Sequence, residues 1–98
     1  MNNPYTSKNL KQIEPVQIWT NGQLKTGNYI NAYIIDDNLL NSATFHWSIF
    51  TQETNGSEIS AGELTISDPE YDVWGQSSDI NEAAYVWICN ELSLTLIP

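Results

Sequence analysis

One histidine, His46, and one cysteine, Cys89, are the side chains of this sequence best suited to general-base or thiolate chemistry. Nucleophilic catalysis needs a nucleophile, a base beside it and a group that orients the base. His46 lies in the alternating stretch Ala43-Thr44-Phe45-His46-Trp47, on the strand face opposite Phe45 and Trp47, where a solvent-facing or sheet-lining histidine is the plainer account. Cys89 sits between Ile88 and Asn90 in an amphipathic helical pattern, and no nearby cation in sequence lowers its pKa, so a structural thiol is expected. No catalytic residue is assigned, and the chain is expected not to be an enzyme.

Metal chemistry meets a similar limit, because one Cys and one His cannot furnish a zinc site. Asp68, Glu70, Asp72 and Asp79 fall at positions 1, 3, 5 and 12 of a calcium-loop spacing. That loop needs glycine at its sixth position, where this sequence has Val73. Pro69 at the second position instead favours a solvated first helical turn. No metal and no cofactor are expected. Twelve carboxylates guarantee chance pairs, so glycosidase-type acid/base work has no specific support.

Charge narrows the partners further. Lys8, Lys11 and Lys25 are the only cations, and the eleven Asp and Glu after Thr26 have nothing to balance them, so the body carries −11 while residues 1–25 carry +2. A body without a cation cannot clamp phosphate, line a nucleic-acid groove or sit on an anionic membrane. No nucleic-acid or membrane partner is expected. Residues 1–15 lack the basic start and apolar run of a secretory leader, and the expectation is synthesis in the cytoplasm.

Aromatic side chains carry the binding potential. Trp47 and Trp87 fall on predicted core faces, whereas Trp19, Tyr29, Tyr33, Tyr71 and Trp74 are candidates for an interface. Aromatic anchors with few cations suit a protein interface or a sugar platform. Tyr5, Lys8 and Lys11 join the candidates as members of a cationic lead segment.

The elements that must position these residues follow from local pattern. Residues 1–15 show no period and end at Pro15, which reads as an extended N-terminal arm on a single domain, 16–98, that folds without it. Val16–Thr20 alternates as a strand, and Asn21-Gly22 signals a type I′ hairpin turn. A second strand, 24–35, places Ile30, Ala32 and Ile34 on one face and Tyr29, Asn31, Tyr33 and Ile35 on the other. A third, 43–50, has an aromatic inner face. A fourth, 59–66, changes phase near Gly62, where a bulge is expected. Ser67 or Asp68 as cap with Pro69 at the first helical position predicts a short helix ending at Gly75. Asp79-Ile80-Asn81-Glu82 predicts a capped second helix with Ile80, Ala84, Trp87 and Ile88 as its core stripe. Leu94–Ile97 reads as a short terminal strand. The predicted class is α+β, a small, mostly antiparallel β-sandwich or partly open barrel with a C-terminal helix.

The order of these motifs, Ile18-Trp19-Thr20-Asn21-Gly22, Asp37-Asn38-Leu39, Ser42-Ala43-Thr44-Phe45, then Asp79 through Trp87 and Leu92-Ser93-Leu94-Thr95-Leu96, resembles small acidic structural proteins of tailed-bacteriophage virions. The resemblance spans residues 16–97 and carries no catalytic residue across. It implies a capsid-surface, neck or tail accessory subunit, located in the virion, whose partners are other virion proteins in a homo- or hetero-oligomeric assembly. Two other classes fit the residues: a carbohydrate-binding module using Trp19, Tyr33 or Trp74 toward a glycan, and an acidic DNA mimic that blocks a host protein.

Overall fold

The structure is a computed structural model that describes residues 10–98. Tyr5 and Lys8, with the rest of the lead segment before residue 10, lie outside the described residues. Four strands come first, β1 (Lys11–Thr20), β2 (Gln23–Asp37), β3 (Ser42–Phe50) and β4 (Glu58–Ser67), followed by helices α1 (Glu70–Gly75) and α2 (Ile80–Glu91). The strands pair antiparallel in the order β1-β2-β3-β4, a meander.

Turn chemistry sets the connections. Asn21 and Gly22 both adopt positive φ, 50° and 75°, which a two-residue hairpin loop demands. At the β2–β3 turn Leu39 has φ 59°, and the Asn38 Oδ1 accepts the backbone N–H groups of Leu40, Asn41 and Ser42 at 2.9–3.0 Å. One amide oxygen thereby satisfies three backbone donors of the turn.

The predicted faces of β2 and β3 are observed. Ile30, Ala32 and Ile34 oppose Ile49, Trp47 and Phe45, and Tyr29, Asn31 and Tyr33 oppose Phe50, Ser48 and His46. Gly27 is a point of close approach: a Cβ there would stand 2.5 Å from Ile49 Cγ2, 3.3 Å from Val16 Cγ1 and 3.4 Å from Ile59 Cδ1. Side chains of β1, β3 and β4 therefore converge on a single point of β2.

The class expectation, α+β with antiparallel strands, holds. The sheet, however, is single and open, with β1 and β4 as its edges, where the sequence suggested a sandwich or a partly open barrel. Its inner face is covered by helices, so no second sheet is needed to bury it. Ala84, Tyr85, Ile88 and Cys89 of α2 and Trp74 of α1 join Ile13, Ile30, Phe45, Ile49 and Ile66 in one core.

Several boundaries differ from the sequence reading. β1 begins at Lys11, so residues 11–15 belong to the edge strand rather than to an arm. Pro15 falls in the irregularity between Gln12 and Val16, where β1 carries more residues than β2. Proline is tolerated at bulges and on edge strands, and here it does not close the segment. Ile13, fully buried, bridges Leu96 on the far side of β1, flanked by Glu14 N–H to Thr95 O and Ile97 N–H to Gln12 O, both 2.9 Å. The expected terminal strand is present as this one bridge.

In β4 the slip lies at Ile59, since Ile49 pairs Ser60 while Phe50 pairs Glu58. Gly62 has a different reason: it faces Trp47, whose ring would stand 2.8 Å from a Cβ there. Pro69 is the N-cap of α1, not its first helical residue, and no side chain caps that end. Asp79 caps α2 as expected, its Oδ1 accepting the Glu82 N–H at 3.0 Å. The buried stripe of α2 is Ala84, Tyr85, Ile88 and Cys89, while Ile80 is 47% exposed. The helix is thus rotated about a quarter turn from the predicted stripe at 3.6 residues per turn.

Two variants test this packing. Gly27→Val should cost about 1–3 kcal/mol by overpacking against Ile49, read as a lower urea midpoint at unchanged slope. Ile13→Ala should cost about 2–5 kcal/mol, and a chain cut after residue 15 should lose its cooperative transition; a truncated chain as stable as the whole would contradict the placement of β1.

Candidate functional site

α2 is apolar on more than one side. Ala83-Ala84-Tyr85-Val86-Trp87-Ile88-Cys89 is seven residues without a polar interruption, and at 3.6 residues per turn such a run goes all the way round a helix. One face, Ala84, Tyr85, Ile88 and Cys89, is buried on the sheet. The other, Ala83, Val86, Trp87 and Asn90, is centred about 180° away by the same geometry and lines an open groove of about 590 Å³.

α1 forms the opposite wall of the groove, with Pro69 and Val73, and buried Ile66 and Trp74 lie at its base. Val73 is 70% and Val86 44% exposed. Trp74 fixes the wall in place. Its ring stands edge-on to Phe45 at 5.3 Å and 86°, Tyr71 lies 5.7 Å away, and its Nε1 donates to the Ile80 carbonyl at 2.9 Å. Tyr71 adds a second tether by donating its hydroxyl to Asp37 Oδ1 at 2.8 Å. That hydrogen bond, with partial burial and then the charge of the Asp37 carboxylate, holds the Tyr71 hydroxyl above the usual range.

The rim is acidic. Glu70, Asp79 and Glu82 line it, and no Lys or Arg is among the lining residues. Glu70 Oε2 accepts the Trp87 indole N–H at 3.0 Å, which spends the one polar atom of that ring. The nearest described cation is Lys11, whose Nζ stands 3.0 Å from Glu82 Oε2 and 5.7 Å from the Tyr85 ring centroid. An exposed pair of this kind contributes about 0–1 kcal/mol.

The sequence-predicted residues are scattered around this groove rather than gathered in it. Trp74 is buried beneath it and Tyr71 is half-buried beside it. Lys11 is engaged within its own chain. Trp19 is 71% exposed and pairs with exposed Leu24 at the β1–β2 hairpin end. Tyr33 lies beside His46, ring centroids 5.2 Å apart, on the outer sheet face. Leu24 and Tyr33 are nine positions apart on β2, about 30 Å at strand rise, so Trp19 and Tyr33 do not form one stacking platform. Tyr29 is half-buried opposite Phe50.

The chemically reactive types are placed apart as well. Among the described residues no three of His, Cys, Asp and Glu cluster as a metal-ligand set. Asp72 accepts from Gln76 Nε2 at 2.9 Å and Asp79 caps α2. His46 Nε2 lies 3.2 Å from Ser48 Oγ, a pairing the sequence reading missed although residues two apart share a strand face. Ser48 is only 1% exposed, too enclosed to meet a substrate. No protein-family model, curated protein or solved structure matches this chain.

Burial pushes the Cys89 thiol up to about 11, with Glu82 adding to the shift, and burial likewise raises Tyr85 despite its backbone hydrogen bond. A raised acid is held neutral in the folded chain where the unfolded chain releases its proton, so stability present below about pH 9 falls as pH rises through 9 toward 11. Urea midpoints should drop between pH 8 and pH 10, with a shallower drop for Cys89→Ala. The native thiol should resist alkylation at pH 8 and react only after unfolding.

Proposed function

We propose that this chain is a non-enzymatic assembly subunit that works by holding a neighbouring protein, in the virion of a tailed bacteriophage as its motif order suggests. One observation carries the binding part of this reading: a second apolar face of α2, exposed Val86 between half-buried Ala83 and Trp87, borders a groove walled by exposed Val73 and Pro69. A globular helix ordinarily shows one apolar stripe and a polar opposite face, so a second apolar surface in the middle of α2 marks a place for a contact. Burial and a raised pKa make Cys89 a poor nucleophile, and enclosure of Ser48 makes the His46–Ser48 pair a poor catalytic dyad. The virion part rests on the resemblance.

Quantitative mass spectrometry of gradient-purified particles tests it. The chain should co-purify at a fixed copy number per particle. A chain found only in the particle-free supernatant overturns the virion reading.

A further inference from the structure

We propose that the groove between α1 and α2 is the docking site for an amphipathic helix of a partner protein, apolar along one face and rich in lysine or arginine along its flanks. The proposal rests on the reading of the chain as an assembly subunit and names the chemistry of what it holds.

Shape argues for a helix. Ala83, Val86, Trp87 and Asn90 follow the i, i+3, i+4, i+7 spacing of a helix-packing seam, and Ala83 leaves room for a close approach. The face they form runs along α2, a helix of twelve residues and so about 18 Å long. That length suits about three turns of a docked helix, the helix-in-groove mode of recognition.

Charge decides the sign of the flanks. Glu70, Asp79 and Glu82 border the apolar surface, and Lys11 neutralises only one of them. Partner cations on either side of an apolar stripe meet complementary potential, whereas acidic flanks meet repulsion. A second copy of this chain is a poor occupant for the same reason: its two described cations are Lys11, already paired with Glu82, and Lys25, and the remaining charged side chains of the fold are carboxylates. A glycan would find hydrogen-bond partners only at the ends and rim of the groove, from Ser77, Ser78, Asn90 and the carboxylates, while the apolar middle of Val73, Ala83 and Val86 offers it none and the Trp87 indole N–H is already given to Glu70.

The test uses the full chain and a fluorescently labelled fourteen-residue leucine–lysine amphipathic peptide, followed by anisotropy. A leucine–glutamate peptide of the same pattern is the first control. Val86→Glu places a charge on the exposed seam and should weaken binding at least tenfold. The rim variant Glu70→Gln/Asp79→Asn/Glu82→Gln should weaken it five- to tenfold, while Glu53→Gln/Glu58→Gln/Glu63→Gln, with the same change in net charge away from the groove, should change it less than twofold. Far-UV circular dichroism and thermal melts confirm that each variant is folded.

Equal losses from the two triple variants would reduce the attraction to net charge and overturn the site. Binding unaffected by Val86→Glu would do the same, as would binding of the glutamate peptide at equal strength. A tryptophan-fluorescence response to a neutral oligosaccharide that Val86→Glu abolishes would replace the helix with a glycan. In particles, normal incorporation of the rim variant overturns the docking chemistry while leaving the assembly reading intact. Absence of the wild-type chain from particles overturns the assembly reading itself.

Discussion

The edge-to-face contact of Trp74 with Phe45 is the joint on which the helical half of this protein depends. α1 has six residues, too few to hold helical structure by its own backbone bonds, and it lacks a side-chain cap. Its place is set by what Trp74 touches: the Phe45 ring on the sheet, Tyr71 on its own helix, and the Ile80 carbonyl at the start of α2. The last of these bonds also gives the indole N–H a partner in a site where an unpaired donor would be costly. Trp74, with the Trp87–Glu70 hydrogen bond between the two helices and the Tyr71–Asp37 tether, fixes the spacing between α1 and α2, and with it the width of the groove.

Much of the β layer was legible because strand alternation is a strict rule. Residues 43–50 and 29–35 could be assigned to faces from sequence, and Asn21-Gly22 and Asp79 each state their conformation through one local bond or one φ sign. Where two physical accounts share one signal, the reading slipped. Pro15 marks either the end of a segment or a bulge in an edge strand, and only the burial of Ile13 decides between them. Gly62 marked either a bulge or a close approach, and the Trp47 ring was the cause.

The groove shows the same ambiguity in helical form. An uninterrupted apolar run from Ala83 to Cys89 contains several overlapping stripes, so periodicity cannot say which one faces the sheet. Tyr85 settles it, because its hydroxyl accepts the Ala32 N–H at 3.0 Å. The run itself was the available signal for a second contact face. A stripe sufficient for the core would have left room for polar residues at Ala83 or Val86.

That Tyr85 contact also governs how the sheet meets its surroundings. Among the described residues β1 pairs with β2 only as far as Lys11 and Ile30, and past that point a side chain from α2 takes up the Ala32 N–H where a strand would otherwise bond. A phenol cannot propagate a ladder as a backbone can. The hydroxyl works as a stopper at this point of β2, occupying the Ala32 N–H through which a further strand would bond. Contact along this stretch of the sheet is thereby left to side-chain surfaces, which can be specific where a backbone ladder is not.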